Sequence, residues 1–123
     1  MNIVKVEKIS SFVEGEVLIS IAGVHLVCFA WNMPQSVEVG NSYSVQLNLM
    51  QFDDYDLHES PSYSETLERV DNSYTYSVTG VLSGSSICCQ GFVLEDEILS
   101  DEYSYLNGKM VSITADRIDV VFL

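Results

Sequence analysis

The strongest constraint on this chain is the two-residue rhythm of its apolar side chains. Val17, Ile19 and Ile21 recur at every second position, and so do Tyr43, Val45, Leu47 and Leu49, then Tyr74, Tyr76, Val78, Gly80 and Leu82, then Val111, Ile113 and Ala115. Successive side chains on a strand point to opposite faces, so this rhythm lays one face of each segment against a core. The expected fold is all-β with one short helix. It is a small barrel or sandwich of about seven or eight mainly antiparallel strands, an OB-like barrel being one such form. The length of 123 residues fits a single domain, 1–123.

Punctuation divides the rhythm. Residues 2–9 read as a first strand, and Ala22-Gly23 as a tight turn into a strand over Val24–Trp31. That strand carries Val24, Leu26, Cys28 and Ala30 on one side and His25, Val27, Phe29 and Trp31 on the other. With both sides largely apolar, Val27, Phe29 and Trp31 are expected in the core, and His25 as a hydrogen-bonded structural residue. Pro34 and Gly40-Asn41 mark the next loop. Ser62-x-x-Glu65 has the form of a capping box, and Tyr63, Leu67 and Val70 follow at helical spacing, predicting a helix over 62–71. A turn at Ser83–Ser86 leads to a strand over Ile87–Leu94, and an acidic loop runs from Glu95 to Asn107. The alternation slips at Asp116-Arg117, which predicts a bulge or tight turn. A faint internal echo, with Gly15 and Gly40 against Gly80 and Gly108, suggests a duplicated strand–hairpin–loop–strand unit.

Charge narrows function. Eighteen Asp and Glu against five Lys and Arg give a net charge of −13. Such a field repels phosphates and anionic membranes and attracts basic partners. Lys5, Lys8, Arg69, Lys109 and Arg117 form no basic stripe, so neither nucleic acid nor a membrane is an expected partner. No apolar run approaches the roughly 20 residues of a membrane helix, and the first residues carry no signal-peptide pattern. Cys28, Cys88 and Cys89 are odd in number, and two are adjacent, which predicts free thiols and a cytoplasmic location.

Catalytic chemistry finds no anchor. His25 and His58 are the only histidines, and no phosphate-binding glycine loop, zinc motif or dinucleotide fingerprint occurs. The chain is expected not to be an enzyme and to hold no cofactor and no metal. Asp53-Asp54-Tyr55-Asp56-Leu57-His58-Glu59 lacks the glycine and the closing glutamate of a calcium loop.

Two acidic segments remain as candidate partner-binding sites. One is Glu95, Asp96 and Glu97 with Asp101, Glu102, Tyr103 and Tyr105. The other is Asp53, Asp54, Tyr55, Asp56 and Glu59. No Lys or Arg occurs between Arg69 and Lys109 to offset the first cluster, and tyrosine is an efficient interface residue. In size, acidity and absence of catalytic motifs the chain resembles, as a class, the bacterial immunity proteins that neutralise toxin domains. That resemblance implies an acidic protein-binding inhibitor of a basic toxin or nuclease domain. The alternative expectation is a structural or adaptor β-barrel module whose charge serves solubility.

Overall fold

The computed structural model describes residues 2–123. The chain runs β1 (Asn2–Ile9), β2 (Glu16–Ile21), β3 (Val24–Ala30), β4 (Ser42–Met50), β5 (His58–Glu59), β6 (Thr66–Arg69), β7 (Tyr76–Ser83), β8 (Ser86–Cys89), β9 (Phe92–Glu95), α1 (Ile98–Glu102), a 3₁₀ turn (Ser104–Leu106), β10 (Met110–Ala115) and β11 (Arg117–Phe122). The fold is all-β, as the alternation requires. Val17, Ile19, Leu26, Val45, Leu47, Val78, Ile113 and Val120 are at most 2% exposed. Ile21, expected among them, is only partly buried, because it ends β2 at the hairpin turn.

Five strands close a barrel. β1 pairs with β2, β2 with β3, β3 with β11, β11 with β4, and β4 returns to β1. Only the β3–β11 contact in this circuit is parallel. Counting β11 as the fifth strand, the order is that of an OB-like Greek-key barrel. A mixed extension grows from it. β9 lies parallel to β4, β8 and β7 follow antiparallel, and β7 also pairs with β6 and β10. Gly80 lies in β7 where an added Cβ would strike the backbone carbonyl of Cys88, so the close approach of β7 and β8 needs glycine there.

The internal echo is real, in a different register from the one its glycines suggest. β1–β2–β3 form a meander and β4 returns to β1; β7–β8–β9 form a meander and β10 returns to β7. An offset of 68 residues carries Gly23 onto Gly91, Val24 onto Phe92, Gly40 onto Gly108 and Ser42 onto Met110. Ala22-Gly23 and Gln90-Gly91 both have positive φ at each residue, 50° and 82° against 54° and 85°, as a twisted two-residue hairpin turn demands. The units interlock. The third strand of each gains a parallel neighbour from outside its unit, β11 beside β3 and β4 beside β9.

Three expectations fail for physical reasons. Residues 62–71 contain no helix. Thr66–Arg69 instead pairs with β7, whose edge offers four residues of ladder, Thr66↔Thr79 to Arg69↔Tyr76. Glu65 does not close a capping box either; its carboxylate accepts the Gln90 N–H at 2.8 Å. The single strand over 87–94 is two strands, because Gln90-Gly91 turns the chain back on itself. The segment 95–107 is not an irregular loop. Leu99 and Leu106 reach into the core and wind it into α1 and the 3₁₀ turn.

Candidate binding surface

The two acidic segments meet. Leu99, fully buried, and Leu106, 6% exposed, pin the 96–109 connection to the core, leaving Glu97, Asp101 and Glu102 exposed. The 51–57 connection leaves β4 and crosses to the same place. Tyr55 and Tyr103 stack with ring centroids 5.6 Å apart, and the Tyr103 hydroxyl donates to the Tyr55 carbonyl at 3.3 Å. Tyr105, 71% exposed, continues the stack at 6.3 Å from Tyr103. A groove of about 580 Å³ lies between the segments, lined by Asp53, Asp54 and Tyr55 on one side and Asp96, Ile98 and Glu102 on the other, with Leu49, Met50 and Gln51 as floor. A second groove of about 470 Å³ adjoins it, sharing Leu49, Met50 and Asp96 and adding Glu95 and Glu97.

The electrostatics of this end are one-signed. Among the described residues, no Lys or Arg nitrogen lies within 4.0 Å of Asp53, Asp54, Asp56, Glu95, Asp96, Glu97, Asp101 or Glu102; the ion pairs are elsewhere. The Tyr55 hydroxyl is buried without a hydrogen-bond partner. Burial first, and the charge of Asp96 beside it second, push its ionisation far above the ordinary tyrosine range. Burial, then Glu102, Tyr105 and Asp56, raise Tyr103. Glu59 does not join the cluster. It sits in β5 opposite Val111, 3.6 Å from Lys109.

Sequence reasoning missed a second feature on the barrel's outer face. Arg117 donates to Asp119 through Nε at 2.6 Å and Nη2 at 3.0 Å, and the Trp31 indole donates to the same carboxylate at 2.7 Å. The guanidinium lies 4.7 Å from the centre of Phe29, 5.5 Å from Trp31 and 5.1 Å from Phe52. Asp119 is 3% exposed, whereas Trp31 and Phe52 are 68% and 61% exposed. The expectation of a buried Val27, Phe29 and Trp31 stripe therefore fails. Val27 and Phe29 are half-buried and Trp31 is outside, because the barrel interior lies on the Leu26, Cys28 and Ala30 side. The legible signal was Arg117 and Asp119 two residues apart, hence on one strand face, beside an aromatic stripe.

The remaining singled-out groups are quiet. Cys28, Cys88 and Cys89 are free thiols. Burial raises Cys28 well above the ordinary thiol range and Cys89 to about 11. His25 is exposed rather than structural, its Nδ1 3.1 Å from the Gly23 carbonyl oxygen and its Nε2 3.6 Å from Glu7. Lys8 and Arg69 line a cleft of about 210 Å³ with Ser10, Glu16, Leu18 and Val27, and Arg69 is tied to the Ser73 and Asn72 carbonyls. Among the described residues, no three or more His, Cys, Asp or Glu are grouped to hold a metal ion. No helix among them is long and apolar enough to cross a membrane.

No curated protein and no solved structure matches this chain. One family profile matches over residues 1–123, and the chain belongs to the family described as Uncharacterised conserved protein UCP019853.

Proposed function

We propose that this chain is an acidic protein-binding inhibitor, of the bacterial immunity type, that takes up a basic protein such as a toxin or nuclease domain and has no turnover of its own. The observation that supports this reading most is the convergence of two acidic segments, about 45 residues apart in sequence, on one grooved end with a stacked tyrosine row and, among the described residues, no Lys or Arg paired to its carboxylates. A carboxylate field of this kind steers a basic partner and sets its on-rate, and desolvated tyrosines supply contact area and slow its departure. Nucleases carry basic surfaces because they bind phosphates, which makes them a fitting class of target. A cytoplasmic location belongs to the same proposal and is supported by three cysteines that form no disulfide with one another.

The test is surface plasmon resonance against the basic protein that co-purifies from the native cell, across a salt series. Replacing Glu95, Asp96, Glu97, Asp101 and Glu102 by Gln or Asn should slow association at least tenfold. Replacing Tyr103 or Tyr105 by Ala should chiefly speed dissociation. Unchanged rates in the neutralised variant would rule out this end as the interface, and failure to recover any basic protein from native cells would put the adaptor reading in its place.

A further inference from the structure

The acidic end and the aromatic cluster lie on one surface. Pairing carries a single row of outward side chains across four strands: Phe29 of β3 opposite Asp119 of β11, Asp119 opposite Asn48 of β4, and Asn48 opposite Glu95 of β9. The next row sets Arg117 opposite Met50, which floors both acidic grooves. Strands are about 4.8 Å apart, so roughly 14 Å separates the aromatic side from the carboxylate side. The 51–57 connection joins them a second time, since Phe52 stacks on Arg117 while Asp53 and Asp54 line the groove.

The exposed aromatics are held in place. The Trp31 indole is fixed by Asp119 and packs edge-on to Phe29 at 6.0 Å. The backbone N–H of Phe52 donates to Asp116 at 2.8 Å, and its ring rests on the guanidinium. Arg117 is neutralised by Asp119, so the guanidinium between the rings offers no unpaired positive charge to repel a basic partner. Rigid, exposed Trp and Phe beside a saturated Arg have the composition of an interface hot spot, where ordering costs are already met.

From this juxtaposition we infer that Trp31 and Phe52 form the apolar anchor site for the same basic partner, receiving an aliphatic or aromatic side chain whose Lys and Arg neighbours extend over the acidic grooves. The inference rests on the reading of the acidic end given above and adds to it the chemistry of the partner's contact segment: one apolar residue flanked by cations. Complementary charge along one edge of the patch fixes which way that segment lies.

Trp31 is the chain's single tryptophan and reports directly on the site. The probes are two lysine-rich synthetic peptides of equal length and charge, one with two central leucines and one with two central serines, titrated at low salt. The leucine peptide should bind about tenfold tighter and shift Trp31 emission to the blue, and the serine peptide should bind without that shift. Phe52→Ala leaves the Trp31–Asp119 bond in place and should bring the leucine peptide down to the serine peptide's affinity. The five-carboxylate variant should weaken both peptides alike. Equal affinities with unmoved Trp31 emission would overturn the anchor site and leave the acidic interface standing. No binding of either peptide would overturn the acidic interface itself.

Discussion

Charge is handled in opposite ways at the two ends of one sheet face. Around Asp119 charge is matched: the Arg117 guanidinium binds the carboxylate through two nitrogens, the Trp31 indole donates to it, and it is only 3% exposed. Among the described residues no Lys or Arg pairs with Asp96 or Glu97, and Glu97 stands toward water. Buried charge must be paired or it costs several kcal/mol, whereas solvated charge costs little and acts at a distance. The Asp119 end is therefore architecture that also carries two exposed rings, and the Asp96 end is free to act on something else.

That contrast sets an order of expected effects. Asp119→Ala should be the largest, destabilising the fold by about 3–5 kcal/mol in urea denaturation, because it strands a mostly buried Arg117. Trp31→Phe keeps an aromatic ring and loses the indole N–H that bonds the carboxylate, for about 1.5–3 kcal/mol by the same measurement. A loss under about 0.5 kcal/mol for either would show that the cluster is not structural and would erase the contrast. Tyr55→Phe removes a buried hydroxyl that lies beside Asp96 without a well-formed hydrogen bond, and should be neutral or stabilising by up to about 1 kcal/mol. Its pH dependence sharpens the point. The folded state holds the Tyr55 proton more tightly than the unfolded chain does, so its contribution is full below the ordinary tyrosine pKa of 10.0 and falls as pH rises beyond it. The Phe variant should lose less stability over that range.

Neutralising Glu95, Asp96, Glu97, Asp101 and Glu102 should have the smallest effect on folding. A gain of a few tenths of a kcal/mol is expected at low salt, fading toward 1 M as the Debye length shrinks to about 3 Å. The same salt range should leave the Asp119→Ala penalty nearly unchanged, since a buried pair is poorly screened. A large destabilisation on neutralisation would mean that the acidic end is held together by its charges after all.

What the sequence made legible follows the range of the forces involved. Strands β1 to β4 could be read because their periodicity and their turn glycines are local properties, and Asp116 announced itself as a break in phase. Residues 62–71 misled because their capping pattern is also local, while the partner that decided their state, the edge of β7, begins several residues downstream. Gln90-Gly91 was hidden inside a run apolar on both sides, and its equivalence to Ala22-Gly23 shows only once both turns are seen to have positive φ. Both acidic segments of the site were legible from composition, except that Glu59 belongs with Lys109. Their meeting was not, since Tyr55 and Tyr103 find each other through the path of β4 and the anchoring of Leu99. Trp31 was placed inside because alternation says that a strand has two faces, without saying which one the barrel encloses.

The closing of the barrel by β11 has a consequence in time. β3 and β4 are made early, yet the strand that fits between them, through Val120 beside Ala30 and Leu47, is made only after β5 to β10. During synthesis the first unit therefore emerges as four strands with an open seam, exposing the edges of β3 and β4 for as long as the second unit takes to follow. Such edges are templates for pairing with other chains, and contacts this distant in sequence slow folding. The nascent chain is at its most aggregation-prone when it is about half made. The carboxylates that directly follow β4, Asp53, Asp54, Asp56 and Glu59, are already present at that stage and would keep the unfinished molecule soluble.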